Sequence, residues 1–174
     1  MNMLTEDLTA LQIFTGLGPD AASRICASLR TLEFSADDLI LNEGESVQAL
    51  WIILEGRCVV SRSCDVSQQR VLAELKPGDV FGEMSFVRRA PHSASIRAVT
   101  DVKVCSYRRS EFLELLKDDP EAAWRVTSNI ADVLAERLRR MDTWVCETME
   151  RPDAEDRRNE WETFRSAVYT NWNF

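Results

Sequence analysis

From Thr31 to Tyr107 the chain reads as seven short strand candidates: LRTLEF, LILN, ALWIIL, RCVVSR, QRVLAEL, ASIRAV and VKVCSYR. Turn signals stand between them at Asn42-Glu43-Gly44, Glu55-Gly56, Cys64-Asp65-Val66-Ser67 and Pro77-Gly78-Asp79. Short β-rich runs at this spacing leave no room for the crossover helices of a parallel sheet, so they predict an antiparallel roll. The flanks read differently. Glu6–Phe14 and Pro19–Leu29 have helical patterns, Ser110 starts another, and Pro120 suits the first turn of a long helix running to about Glu147. The expectation is an α+β fold. A jelly-roll-like barrel over 31–107 is flanked by N-terminal helices over 5–29 and C-terminal helices over 110–148. One domain spans 1–148, and an aromatic-rich tail spans 149–174.

The stretch Phe81 to Ala98, FGEMSFVRRAPHSASIRA, departs from this rhythm. Gly82 lets the backbone turn without Cβ interference. The residues after it can start a short helix, whose first N–H groups lack internal partners and suit an anion such as phosphate. Glu83 adds an acceptor that suits sugar hydroxyls and not phosphate oxygens. Pro91-His92-Ser93-Ala94-Ser95 then leads into a strand.

These residues resemble the phosphate-binding cassette of the cyclic nucleotide-binding domain family, to which the catabolite activator protein and the regulatory subunits of protein kinase A belong. The family pattern is roughly Phe-Gly-Glu, a Leu or Ile, several loosely constrained positions, then Pro-Arg-Ala/Ser/Thr-Ala-Ser/Thr-Val. One anchor differs: the family arginine is His92 here, the one histidine of the chain. The glycines give a second check. Gly16, Gly44, Gly56, Gly78 and Gly82 fall where the family places turns, and Gly18 has no counterpart. One family glycine is replaced by Asp37-Asp38. The resemblance runs from about Leu11 to Arg140. It implies a regulatory, non-enzymatic domain with cAMP or cGMP as ligand. Gly82, Glu83 and Met84 would face the phosphate and sugar, with Glu83 taking the ribose 2′-OH, and Ser93 and Ala94 would follow the missing arginine. The base would be covered from the long helix, with Arg137, Leu138 and Met141 as the local candidates.

Three readings of His92 stay open. It binds phosphate more weakly and with pH dependence, because a histidine near pKa ~6.5 is a cation only part of the time. Arg88 or Arg89, earlier in the cassette, supplies the lost charge. Or the pocket no longer takes a cyclic nucleotide, and the fold serves as a scaffold, a dimerisation module or a site for another anion.

Composition narrows the class. A net charge of −8 gives no overall basic footprint for nucleic acid. No helix-turn-helix follows the long helix, so DNA binding is not expected. Five scattered cysteines without a CxxC pair, beside a single histidine, argue for reduced thiols and against a zinc site. The acidic start MNMLTEDLTALQ is unlike a signal peptide, and no apolar run approaches a membrane span. A cytoplasmic protein without metal, resident cofactor or catalytic constellation is expected.

Ile130, Leu134, Leu138, Met141 and Val145 make an apolar stripe on the long helix. A stripe like this can pack on its own barrel or pair with a second copy. Its length favours a homodimer through 121–147. In the tail, Trp161, Phe164 and Val168 fall on one face of a short helix. That helix would fold back on the body, form a lid on the pocket, or dock a protein partner through 151–174.

Overall fold

A computed structural model describes residues 5–65 and 68–149. The aromatic tail lies outside these residues. The chain divides into two compact units after Ile130, a break that falls inside its longest helix.

In the first unit, α1 (Thr5–Ala10) and α2 (Pro19–Ser28) precede eight strands. These are β1 (Arg30–Phe34), β2 (Leu39–Leu41), β3 (Ala49–Glu55), β4 (Cys58–Asp65), β5 (Gln68–Leu75), β6 (Val80–Phe81), β7 (Ser95–Ala98) and β8 (Val102–Arg108). The short helix α3 (Glu83–Val87) lies between β6 and β7, and α4 (Arg109–Asp118) follows β8. Helix α5 (Pro120–Met149) crosses into the second unit. The strands form two antiparallel sheets, β1-β8-β3-β6 and β2-β7-β4-β5. The roll is thus two facing four-stranded sheets and not one closed barrel. The expected helix over Glu6–Phe14 is split, with α1 ending at Ala10 and a 3-10 turn over Gln12–Phe14. Asn129 holds that turn from α5, its Nδ2 donating to the carbonyls of Ile13 at 3.1 Å and Thr15 at 3.0 Å.

The central strand β3 reads as a continuous apolar run because both its faces are covered. Ala49, Trp51 and Ile53 face the second sheet with Phe81, Val102 and Val104, against Leu41, Cys58, Leu75, Ile96 and Ala98. The alternate residues Leu50 and Ile52 are fully buried, as are Cys105 and Tyr107 opposite them in β8. Tyr107 meets Phe14 edge-on at 6.1 Å and Phe86 of α3 at 6.2 Å. Phe86 in turn meets Phe112 of α4 at 5.3 Å. Burial raises the Cys58 thiol to about 11 and the Cys105 thiol to about 12, which keeps both protonated and inert.

The turns follow the glycine reading. Gly16, Gly44, Gly56, Gly78 and Gly82 all have positive φ, while Gly18 has φ −68° at the start of α2. Asp37, in place of the family glycine, is the one described non-glycine residue with positive φ, at 70°. Asp is among the few residues that tolerate that region. Gly56 is the tightest position, since a Cβ there would stand 2.2 Å from the Asp101 carbonyl oxygen.

Candidate functional site

Strand β6 has only two residues, but it sets the site. Pairing of Phe81 with Trp51 places the chain so that Gly82, at φ 77°, turns directly into α3. A Cβ on Gly82 would lie 2.7 Å from the Ala49 carbonyl oxygen and 2.9 Å from the Trp51 ring. Glycine is therefore required for both its backbone conformation and its lack of bulk. Helix α3 then buries Ser85 and Phe86 and leaves Met84 exposed. Glu83, at its first position, is 6% exposed.

The far arm of the cassette is tied to the loop after β2. The His92 N–H donates to the Glu45 carbonyl at 2.8 Å, and the Gly44 N–H donates to the His92 carbonyl at 2.9 Å. The Glu43 N–H donates to the Ser95 hydroxyl at 3.0 Å. These bonds bring His92 back over the start of α3, where its side chain is 7% exposed.

His92 Nδ1 lies 3.2 Å from Ser85 Oγ. The Ser85 hydroxyl donates to the Gly82 carbonyl at 2.9 Å, so its oxygen is left to accept. The Val47 carbonyl, which also approaches the ring, can only accept. With the Ser85 hydroxyl turned to the Gly82 carbonyl, the neutral ring carries its proton on Nδ1. Nε2 is buried and has no partner. In the neutral ring it is a bare acceptor, and on protonation it becomes a charged donor. Burial lowers the His92 pKa below its usual 6.5, opposed by the carboxylates of Glu45 and Glu83 and by the Val47 carbonyl. Without a ligand the ring is neutral at pH 7.

Gly82, Glu83, Met84, His92, Ser93 and Ala94 thus come together around α3, and the Ser93 hydroxyl reaches Met84 Sδ at 3.7 Å. Arg88 caps the end of α3 and is exposed. Arg89 lines a different cleft, with Arg30, Arg108 and Arg109. Arg137 and Leu138 lie in the second unit, where Leu138 is half exposed. Ser85 was not singled out from the sequence. The available signal was a polar residue on the buried face of a five-residue helix. Among the described residues no cluster of His, Cys, Asp and Glu could hold a metal ion, and no helix is long and apolar enough to cross a membrane.

Two antiparallel sheets thus carry a glycine-opened helix and a buried acid. The sequence model described as the cyclic nucleotide-binding domain matches residues 31–119, just over half of the chain. The chain belongs to the cyclic nucleotide-binding domain family. It is 29% identical over 137 residues to a CRP-like cAMP-activated global transcriptional regulator of Mycobacterium tuberculosis, covering 79% of this chain and 59% of that one. The chain thus spans about three fifths of the length of that curated relative. A cyclic nucleotide-binding domain from Methylobacillus flagellatus shares the fold at TM-score 0.76 and 21% identity, covering 83% of each chain. The regulatory subunit of a cAMP-independent protein kinase A from Trypanosoma brucei matches at TM-score 0.60 and 25% identity, covering 88% of this chain and 48% of that one. A triple variant of it that gains an arginine has been solved with cAMP in one site.

Proposed function

We propose that this chain is a cyclic nucleotide sensor of the cAMP or cGMP type, in which ligand phosphate binds together with a proton on His92. The observation that carries this reading is the buried, partnerless His92 Nε2 at the position of the family arginine. As a bare acceptor it repels phosphate oxygens. As imidazolium it supplies the cation the cassette otherwise lacks. The first N–H groups of α3 and the Glu83 carboxylate supply the remaining contacts, to phosphate and to ribose 2′-OH. A variant of the trypanosome relative with three substitutions, one of them threonine to arginine, has been solved with cAMP, which is consistent with a need for positive charge in such a pocket.

Calorimetric titration with cAMP and cGMP across pH 5.5–8, in buffers of different ionisation enthalpy, tests the reading. Binding should take up a proton, and affinity should rise as pH falls, by at most about tenfold per pH unit. His92→Arg should raise affinity at pH 8 and abolish the proton uptake. If neither wild type nor a folded His92→Arg protein binds either nucleotide, the pocket is vestigial and the scaffold reading takes its place.

The output we propose is a homodimer through 121–147, whose rearrangement on binding passes to the tail over 151–174. The half exposure of Leu138 and Met141, both 49% exposed on the stripe, supports this assembly. Leu138→Glu would place a carboxylate at the centre of the pairing seam, which is costly without a partner. Sedimentation equilibrium should find wild type dimeric and the variant monomeric. A wild-type monomer at tens of micromolar would remove the dimer from the proposal.

A further inference from the structure

Residues of β1, β3 and β8 and the start of α4 line a cleft of about 540 Å³. Four arginines line it, Arg30, Arg89, Arg108 and Arg109, and no carboxylate does. In a chain of net charge −8, that separation is a local reversal of the global field. The register explains part of it. Arg30 of β1 and Trp51 of β3 both pair with Ser106 of β8, so the three stand in one row across the sheet. Arg108 pairs with Ala49 at the end of the sheet. Arg30, Arg89 and Arg108 form no ion pair or side-chain hydrogen bond among the described residues, although surface arginines elsewhere do, such as Arg57 with Glu74 at 3.1 Å.

Three further features are donors that lack acceptors. The Nε1 of Trp51 and the Nε of Arg109 are buried without partners. Trp51 is only 7% exposed. Helix α4 also begins at this cleft, and its capping residue, Arg108, makes no side-chain cap. The Arg109 N–H is taken by the Gln48 carbonyl at 3.0 Å, which leaves the next N–H groups of the first turn open. Buried donors left unpaired are costly, and a cleft with four guanidinium groups and no lining carboxylate suits an acceptor-rich, negatively charged occupant.

We propose that this cleft is a second binding site, for a small multiply charged oxyanion held by Arg30, Arg89 and Arg108 over the Trp51 indole. Planar guanidinium forks match phosphate and carboxylate alike. With three unpaired guanidinium groups, a singly charged anion would leave excess positive charge, so the occupant carries two or more charges. The site is separate from the nucleotide cassette, since Glu83, His92, Ser93 and Ala94 do not line it. Its occupant would still touch the cassette, because Arg89 belongs to it. The Arg109 guanidinium, on the cleft wall, also donates to the carbonyls of Phe86 and Val87 at the end of α3.

The test is calorimetric titration of the full chain with sodium pyrophosphate and with sodium citrate, at fixed ionic strength set by sodium chloride. Saturable binding of at least one probe is expected, weakened tenfold or more by Arg30→Ala and by Arg108→Ala. Arg57→Ala should leave it unchanged. Saturation by pyrophosphate alone assigns a phosphate-bearing ligand, by citrate alone a polycarboxylate, and by both the shared oxyanion chemistry. No saturable heat with either probe overturns the proposal. So does binding that survives both cleft substitutions.

Discussion

The cassette has two sides of opposite character. On the nucleotide side stand the buried Glu83 carboxylate and a His92 ring whose open nitrogen is an acceptor when neutral. On the sheet side stand four arginines with no carboxylate among them. The permanent positive charge that the family places over the phosphate is absent there and abundant one cleft away. A binding motif can therefore keep its backbone geometry while its electrostatics change through one residue. Of the two arginines a few residues earlier, Arg89 lines the sheet-side cleft and Arg88 is exposed at the end of α3.

The largest expected effect joins the two sides. Gly82→Ala forces a left-handed conformation on a residue with a Cβ, at roughly 1–2 kcal/mol. It also drives that Cβ toward the Ala49 carbonyl and the Trp51 ring, for roughly 1–3 kcal/mol more. Chemical denaturation should show a loss of about 2–5 kcal/mol, and both nucleotide and oxyanion binding should weaken. Preserved binding on either side would show that side to be independent of how the cassette helix starts.

Glu83→Ala should separate the sides. Removal of the 2′-OH acceptor should weaken cyclic nucleotide binding by roughly 1.5–3 kcal/mol, the range for a hydrogen bond to a charged group. Unchanged nucleotide affinity in a folded variant would rule out the ribose role.

The smallest effect concerns pH. His92 in the folded, ligand-free protein has its pKa lowered from 6.5 by burial. As pH falls below about 6.5, the unfolded chain takes up this proton before the folded one does, so the folded state loses stability. The slope from this one group is at most about 1.4 kcal/mol per pH unit. Thermal melts of wild type and His92→Gln between pH 7.5 and 5.5 should diverge, with wild type losing more. A saturating cyclic nucleotide should reduce or reverse the divergence, because the bound state favours the protonated ring. Parallel melts with and without ligand would place the His92 proton outside the binding reaction.

Much of this molecule was legible in its residues. Turn glycines and short β-rich runs mark a local conformational requirement wherever they occur, so an antiparallel roll, the position of α3 and a turn at Asp37 follow from sequence-local physics. Residues 82–84 and 92–94 could be named as a site because one continuous segment carries them. What required the tertiary structure is pairing between distant segments. Register alone brings Arg30 beside Ser106 and Trp51, and α4 begins where that row ends. The proton on His92 Nδ1 depends on Ser85 and on the Val47 carbonyl, which meet the ring through the fold of α3 against β3. Spacing in a sequence specifies backbone conformation over a few residues. Burial, protonation and the gathering of like charges are properties of the space between segments, and only the packed chain decides them.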